Sequence, residues 1–421
     1  MRRTYILLAT AATLGMAGTA QAQTAPEPLV RAIEQGLVIT PGSSLAPATG
    51  FAHTHYHVLR PYGVTPNATG PSGQYETPAS LACVYGLVPV ANGCNPTIVT
   101  QVSALGSKAI AIVDAYDYPT AAADLQVYST QFGLPAITAD NFQVTWVGAT
   151  KPKVDPTGGW EGEEALDIEM VHALAPNAKI ILVEAKSAST ADLVAAEKLA
   201  VQLVAAAGGG EVTNSWGGGE TSNENSTASQ NIFKGTNVTV FASAGDAPGT
   251  EWPSVMNNVV GVGGTTINRD ASFNYINQTT WSISKNSSTG GGLSKFVPIP
   301  SFQSAVSGVV GTKRGVPDIA LIGNPSSGVW TYTSQPGTYT GWQVYGGTSV
   351  AAPLAAAVVN AAGSFAASTT AELATIYANY GVTANYTDIT SGKCLNAPSK
   401  NASVGYDLCT GIGAPIGLAG K

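Results

Sequence analysis

Apolar blocks alternate along the chain with segments whose apolar positions recur at helical spacing. Residues 109–113 form an uninterrupted apolar run that predicts a buried strand, and residues 120–132 after it predict a helix. The order repeats with a strand at residues 179–183 and a helix at residues 190–207, where residues of high helix propensity dominate. The pattern therefore predicts successive strand–helix units.

Later segments continue this order. Strands are predicted at residues 213–215, 238–242 and 259–262, one helix is predicted at residues 161–174, and another begins near Ser349 and ends near Ala362. Strands that alternate with helices predict an α/β fold with a mostly parallel central sheet and helices on both faces. In such sheets, functional residues gather at the carboxyl ends of the strands.

The first 22 residues predict a signal peptide. Two arginines precede a mostly apolar stretch at residues 5–16, and residues 20–22 offer the small residues of a cleavage site. We therefore expect a secreted or periplasmic protein. No later stretch reaches the ~20 unbroken apolar residues of a membrane span, so no membrane association is expected after signal removal.

Composition divides the remaining chain in two. Residues 23–75, rich in Pro, Gly, Thr and Ala, predict an N-terminal arm or short pro-segment, and residues 76–421 predict one large domain. The net charge of −7, with 11% charged residues, excludes a nucleic-acid-binding protein that relies on a basic face. A chain with few charged residues forms few ion pairs in its folded state, so it loses little stability when acid protonates its carboxylates. This fits either a secreted protein with an uncharged polar surface or true adaptation to acid.

Four cysteines lie in two close pairs, as suits an exported protein with disulfides. Their spacing favours Cys83 with Cys94 and Cys394 with Cys409, although four cysteines permit three connectivities. A zinc site is the alternative, but the chain has no Cys-x-x-Cys spacing to support it.

Two acidic residues continue the apolar face of the helix predicted at residues 161–174. Glu163 and Asp167 stand one turn apart, in line with Met170 and Val171. Burial raises the pKa of a carboxyl group, and a second carboxyl one turn away raises one of the two further, so the pair could share a proton and act as a base in acid. The alternative is an acidic helix N-terminus that suits the helix dipole.

Two further segments offer chemistry. Small residues at 346–348 precede Ser349, which is predicted on a tight turn at the positive end of an Ala-rich helix, as a nucleophile requires. The alternative there is a helix-capping serine. Asp246 follows a strand in a Gly-rich turn, where it is either an ordinary turn residue or a protonated acid that donates a hydrogen bond to an oxyanion.

The chain has only four histidines. His53, His55 and His57 alternate within the N-terminal arm, where an exposed strand or a metal site would explain them. His172 lies on the acidic helix but projects from a different face than the carboxylate pair. No histidine is placed to serve a Ser-His-Asp triad, so the base for Ser349 is expected to be a carboxylate.

Together these segments resemble the sedolisin family of serine-carboxyl peptidases over roughly residues 76–421. The family's Gly-Thr-Ser-x-Ala-Ala-Pro run matches residues 347–353, its Glu-x-x-Leu-Asp-Ile-Glu motif matches residues 163–169, and its Ser-x-Gly-Asp turn matches residues 243–246. The resemblance implies a subtilisin-like fold and an endopeptidase that is active at acidic pH.

The resemblance also implies a role for each matching residue. Ser349 would be the nucleophile, Glu163 the general base, Asp167 its partner, and Asp246 the acid that stabilises the oxyanion. Substrates would be proteins or peptides, and the protein is expected to be a monomer. The residues implied to line the substrate cleft are Ser215, Trp216 and Gly217.

The family binds one calcium ion near its C-terminus, which corresponds here to residues 386–413. The implied ligands are the carboxylates of Asp388 and Asp407 and the backbone carbonyls of Ile389, Ser403 and Gly405. Oxygen ligands alone suit a hard cation. The family usually has a glycine where this chain has Ser403.

The chain departs from the family pattern in two places. Sedolisins carry a large propeptide, whereas about 50 residues precede the matching region after the predicted signal peptide, which indicates a shortened pro-region. Asp114 stands where relatives often have a glutamate that is hydrogen-bonded toward the catalytic carboxylates. The alternative function is a catalytically inactive secreted binding protein on a sedolisin scaffold, which would not need all four catalytic residues.

Overall fold

The computed structural model describes residues 38–45, 47–59, 71, 75–335 and 340–421. The predicted signal peptide and much of the predicted arm lie outside the described residues. Within them, no helix is both long enough and apolar enough to cross a membrane.

The described strands range from two to ten residues in length. In chain order they are β1 (Val38–Ile39), β2 (His53–Thr54), β3 (His57–Leu59), β4 (Ala109–Ala115), β5 (Phe142–Trp146), β6 (Lys179–Ala185), β7 (Gly210–Asn214), β8 (Trp216–Gly217), β9 (Val238–Ser243), β10 (Val260–Arg269), β11 (Tyr275–Thr280), β12 (Ser282–Ser284), β13 (Ser287–Ser288), β14 (Gly292–Pro298), β15 (Lys313–Val316), β16 (Ile319–Ile322), β17 (Val329–Thr333), β18 (Gly341–Gly346), β19 (Tyr386–Thr387) and β20 (Ala414–Pro415).

Several of the helices begin where a side chain accepts a hydrogen bond from an otherwise free backbone N–H group. Thr77, Ser189 and Ser368 each cap the helix that follows them in this way. In chain order the α-helices are α1 (Pro78–Val84), α2 (Ala121–Phe132), α3 (Gly159–Leu174), α4 (Thr190–Ala206), α5 (Thr227–Gln230), α6 (Ser307–Val310), α7 (Thr348–Ala362) and α8 (Thr369–Ala378).

The central sheet has the strand order β11-β10-β9-β7-β4-β6-β5, and β16 also pairs with β10. Its pairings are parallel except for β10 with β11, which is antiparallel. A smaller antiparallel sheet has the order β1-β3-β18-β17. The prediction of a mostly parallel central sheet is therefore confirmed.

Helices cover both faces of this sheet. Successive residues of a strand point to opposite sides, so a strand that is apolar throughout needs an apolar partner on each face. Ile110 and Ile112 of β4 belong to one apolar cluster, which contains most of the buried apolar residues of α3 and α7. Ala111 and Val113 belong to a second cluster, which contains the buried residues of α4. The helices predicted at residues 120–132, 161–174 and 190–207 agree with α2, α3 and α4 to within two residues.

Part of the predicted N-terminal arm is packed into the core. Strand β3 pairs with β18, and Tyr56, Val58 and Leu59 are at most 2% exposed. The three histidines do alternate along extended chain, but His55 and His57 are buried. The interpretation as an exposed strand is therefore wrong for these two, because their neighbours bury apolar side chains and carry the histidines inward with them.

Both predicted disulfides are confirmed. Cys83 pairs with Cys94, and Cys394 pairs with Cys409, each pair with a Cα–Cα distance of 5.4 Å. The second disulfide closes the segment that contains three of the five predicted calcium ligands, Ser403, Gly405 and Asp407.

Candidate active site

Helix α3, which is buried along its whole length, carries Glu163 and Asp167. Neither residue has measurable solvent exposure. Burial raises the pKa of Glu163 well above its usual range, with Asp167 and Asp114 adding to the shift and the nearby Ser349 hydroxyl opposing it. Both carboxylate oxygens of Glu163 lack a hydrogen-bond partner of ordinary geometry among the described residues. When this carboxyl group is ionised, both of its oxygens are available to accept a proton.

Asp167 is held by a serine from a different element. The Ser215 hydroxyl, between β7 and β8, donates to Asp167 Oδ1 at 2.9 Å. Burial raises the pKa of Asp167, although the hydrogen bond from Ser215 and the nearby Glu163 carboxyl group work against the shift. Asp114, at the carboxyl half of β4, is also fully buried, and burial together with the charge of Asp167 raises its pKa. Three carboxyl groups this close cannot all be ionised, so the cluster retains at least one proton.

Ser349 lies in the first turn of α7, directly after β18. The turn between them needs Gly347, whose φ is +126° and where a β-carbon would lie 2.7 Å from Asp246 Oδ2 and 2.0 Å from the backbone oxygen of His55. Ser349 is fully buried, and its hydroxyl donates to the carbonyl oxygen of Ser215 at 3.1 Å. The serine thus faces the same junction of strands and helices as the carboxylates of α3.

Asp246 follows β9 and approaches the start of α7. Its Oδ1 accepts hydrogen bonds from the Thr348 backbone N–H at 2.7 Å and the Thr348 hydroxyl at 2.9 Å. Its Oδ2 is buried without a hydrogen-bond partner among the described residues, 3.5 Å from His57 Nε2. Burial raises the pKa of Asp246 well above its usual range, and the charge of Glu251 adds to the shift. The protonated form, with a hydrogen to donate from Oδ2, is thereby favoured.

The predicted cleft strand is already paired. Strand β8 forms an antiparallel pair with β2, in which Trp216 faces Thr54 and Gly217 faces His53. Trp216 is anchored by its indole N–H, which donates to the Val113 carbonyl oxygen at 2.8 Å. The chain between β2 and β3 then crosses Ser349, where the His55 N–H donates to Ser349 Oγ at 3.1 Å. In this arrangement the segment covers Ser349.

Glu251 is a site residue that the sequence analysis missed. It lies in the turn after Asp246, and its Oε2 is 2.8 Å from His53 Nε2 and 3.0 Å from His55 Nε2. Burial disfavours the charged form of Glu251, but the two histidines outweigh this and hold its pKa well below the usual range. The partners are almost 200 residues apart in the chain, so no local signal could have linked them.

The predicted calcium ligands also converge in part. Asp388 Oδ2 accepts a hydrogen bond from the Gly405 N–H at 2.7 Å, and Asp407 Oδ2 accepts one from the Ser403 N–H at 2.8 Å. Asp388 Oδ1 is buried and has no hydrogen-bond partner among the described residues. A carboxylate oxygen in that state fits a cation ligand. Ile389, the remaining predicted ligand, is buried directly after Asp388.

The amino-acid sequence that forms this site is similar to those of known proteins. Kumamolisin from Bacillus sp. (strain MN-32) is 33% identical over 311 residues, which are 64% of this chain and 52% of kumamolisin. Sedolisin from Pseudomonas sp. (strain 101) is 36% identical over 115 residues, 26% of this chain and 19% of sedolisin. The matches therefore span about half of the first relative and about a fifth of the second.

Structural comparison agrees at the level of the fold. A solved structure of Pseudomonas sedolisin, a serine-carboxyl proteinase complexed with two molecules of pseudo-iodotyrostatin, superposes with a TM-score of 0.64 and 24% identity, covering 82% of this chain and 96% of that one. No protein-family model matches the sequence. The class is thus that of subtilisin-like α/β proteins. Within it, the chain is similar to members of the sedolisin family.

Proposed function

We propose that the protein is a serine-carboxyl endopeptidase that hydrolyses peptide bonds of proteins and peptides at acidic pH. The observation that carries the proposal is the convergence of Ser349 from α7, Glu163 and Asp167 from α3, and Asp246 from the end of β9 around one buried junction. The relatives support a peptidase of this kind.

In the first step, Ser349 Oγ attacks the carbonyl carbon of the scissile peptide bond, and Glu163 accepts the hydroxyl proton. Glu163 then gives that proton to the leaving amine as the C–N bond breaks, which leaves an acyl group on Ser349. Water attacks the acyl group with Glu163 again as the base, and the carboxylic acid product leaves. Asp167, oriented by Ser215, holds the Glu163 carboxylate toward the serine.

The negative charge on the carbonyl oxygen would be stabilised by the Ser349 N–H and by protonated Asp246. The Ser349 N–H already donates to a backbone carbonyl oxygen, that of His55, at 3.1 Å. Asp246 engages Thr348 through Oδ1 and leaves Oδ2 free, so a proton on Oδ2 is available to a substrate. Each such donor is worth roughly 3–4 kcal/mol in the transition state. Ser215, Trp216 and Gly217 would pair with the extended substrate once β2 has left them.

The proposal extends to the organisation of the chain. Residues 1–22 act as a signal peptide for a secreted or periplasmic protein, residues 23–75 as an arm or short pro-segment, and residues 76–421 as the catalytic domain. Because β2 and the residues after it cover Ser349, we assign the covering role to this segment. The active protein acts as a monomer without nucleic acid.

We also propose one calcium ion in the loop at residues 386–413, held by Asp388, Asp407 and the backbone carbonyls of Ile389, Ser403 and Gly405. The buried, unpartnered Asp388 Oδ1 supports it. A bound ion would stabilise the loop, with no part in the bond-breaking steps.

Casein cleavage followed across pH tests the peptidase proposal. We expect activity in acid that disappears toward neutral pH, and loss of that activity in both Ser349→Ala and Glu163→Gln. Glu169→Gln is a matched control, because Glu169 is a buried glutamate on the same helix that accepts from the Tyr332 N–H instead. Full activity in Ser349→Ala, or an intact chain that cleaves nothing at any pH, would refute the proposal, and the second outcome would favour an inactive binding protein.

A further inference from the structure

Three side chains that the peptidase chemistry does not use meet beside the covered serine. His53 and His55 project from the segment that crosses the site, and Glu251 projects from the turn after Asp246. One nitrogen of each imidazole and one carboxylate oxygen all lie within 4.8 Å of one another. Among the residues that the structure describes, this is the one group of three or more such ligating side chains that converges.

The ligand types select a class of metal ion. Two imidazoles and one carboxylate suit zinc and similar first-row divalent ions, whereas calcium and magnesium prefer oxygen ligands alone. Ligand atoms bound at about 2.1 Å to one ion are about 3–4 Å apart. Small side-chain rotations that move these three atoms by under about 1 Å would therefore bring them to the distances that a bound ion requires. The side chains of His53 and Glu251 are 15% and 21% exposed, so an ion could enter from solvent and keep a water ligand.

The surroundings of the cluster resemble the support that a metal site needs. His55 Nδ1 lies 2.6 Å from the Ser243 hydroxyl, an outer partner that leaves Nε2 directed at Glu251. Gly217 makes the space: a β-carbon there would lie 2.5 Å from Glu251 Oε2 and 2.9 Å from His55 Nε2. His57 is not part of the cluster, because its Nε2 faces Asp246 instead.

We propose that His53, His55 and Glu251 bind one zinc-class divalent ion, which fastens the N-terminal segment across Ser349. Two ligands come from the covering segment and the third from the body of the domain, so an ion bound to all three stabilises the covered arrangement over any in which β2 has left β8. Binding of the ion does not depend on peptidase activity. Its effect on substrate access rests on the proposed function.

The test is a calorimetric titration of the full chain carrying Ser349→Ala, which excludes self-digestion, with zinc in the presence of excess calcium to fill any oxygen-ligand site. We expect one zinc per chain, no comparable binding of magnesium, and affinity that falls at least about 100-fold in His53→Ala and in Glu251→Gln. Glu220→Gln is the control, because Glu220 is a neighbouring carboxylate that binds Ser294 and Thr250 and does not face the histidines. Circular dichroism verifies that each variant is folded.

A second readout separates a fastening ion from a merely bound one. Zinc should slow amide hydrogen exchange in residues 53–57 of the Ser349→Ala chain, and should not slow it in Glu251→Gln. Zinc binding of equal strength in all variants would locate the ion elsewhere and overturn the proposal, as would absence of binding. Binding without slower exchange would overturn the fastening role. Since the chain used is already inactive, these outcomes are independent of whether the wild-type protein cleaves casein.

Discussion

His55 and Ser349 exchange two hydrogen bonds. The His55 N–H donates to Ser349 Oγ and the Ser349 N–H donates to the His55 carbonyl oxygen, both at 3.1 Å. A backbone carbonyl thereby takes the N–H that the proposed mechanism reserves for the substrate. Access to the serine therefore requires these two hydrogen bonds to break, and substitutions that weaken the covered arrangement should favour access.

Weakening the anchor of the covering segment should expose Ser349. The Tyr56 hydroxyl donates to the Gly159 carbonyl oxygen at 2.6 Å, and its ring stacks on Tyr345. Tyr56→Phe removes a hydrogen bond worth about 1 kcal/mol, so a fluorophosphonate reagent should modify Ser349 about 5-fold faster. Tyr118→Phe, which removes a similar buried bond to Asp124 away from the site, should not change that rate. Identical rates in all three proteins would show that Tyr56 does not hold the cover.

The proposed role of Asp246 predicts opposite results for two substitutions. Asp246→Asn keeps an acceptor for Thr348 and supplies an N–H donor that cannot ionise, so activity should persist to higher pH than in the wild type. Asp246→Ala removes the donor and should lower kcat about 10²–10³-fold at every acidic pH. The measurement is kcat against pH on a peptide substrate. If the upper pH limit of activity is the same in Asp246→Asn as in the wild type, ionisation of Asp246 does not set that limit.

Buried glutamates should make the fold more stable in acid than near neutral pH. Burial raises the pKa of Glu197 from 4.5 to about 8, against a weaker opposing effect of Asn214. The folded chain thus keeps a proton that the unfolded chain releases, so the free energy of unfolding falls as pH rises between these values, by on the order of 4 kcal/mol. Burial also raises the pKa values of Glu161 and Glu372, each to about 7, and they act in the same direction.

Urea unfolding at about pH 5 and about pH 8 measures this effect. Glu197→Gln cannot ionise, so its loss of stability between the two pH values should be smaller than that of the wild type. His57 works in the opposite direction, because burial and then His55 lower its pKa to about 4, and its contribution is lost as pH falls from 6.5 toward 4. A wild-type protein more stable at pH 8 would contradict the prediction.

Calcium should stabilise the C-terminal loop through Asp388. An ion present at about 100 times its Kd adds about 2.7 kcal/mol to the free energy of unfolding, so a chelator should lower the wild-type Tm. Asp388→Asn keeps an acceptor for the Gly405 N–H but loses the charge, and its Tm should not respond to calcium. A wild-type Tm that is the same with calcium and with chelator would exclude the ion.

Local patterns in the chain determined much of what is seen. The apolar run at residues 109–113 favoured a strand buried on both faces, and the helix propensity of residues 190–207 favoured a helix, so these elements followed from neighbouring residues. The spacing of Glu163 and Asp167 put both on one helix face because 3.6 residues make a turn. The cysteine spacing likewise indicated both disulfides.

Only the tertiary structure brought Glu251 to His53 and His55, and residues 53–59 onto β8 and β18. The Pro and Gly content of that region predicted an extended arm, and composition gave no indication that Tyr56 and Val58 would be buried. Helices, and the face of a helix on which a residue lies, are determined by residues close together in the chain. Contacts between residues some 200 positions apart depend instead on how separate elements pack. For that reason the sequence identified the candidate nucleophile and base but not the chain that covers them.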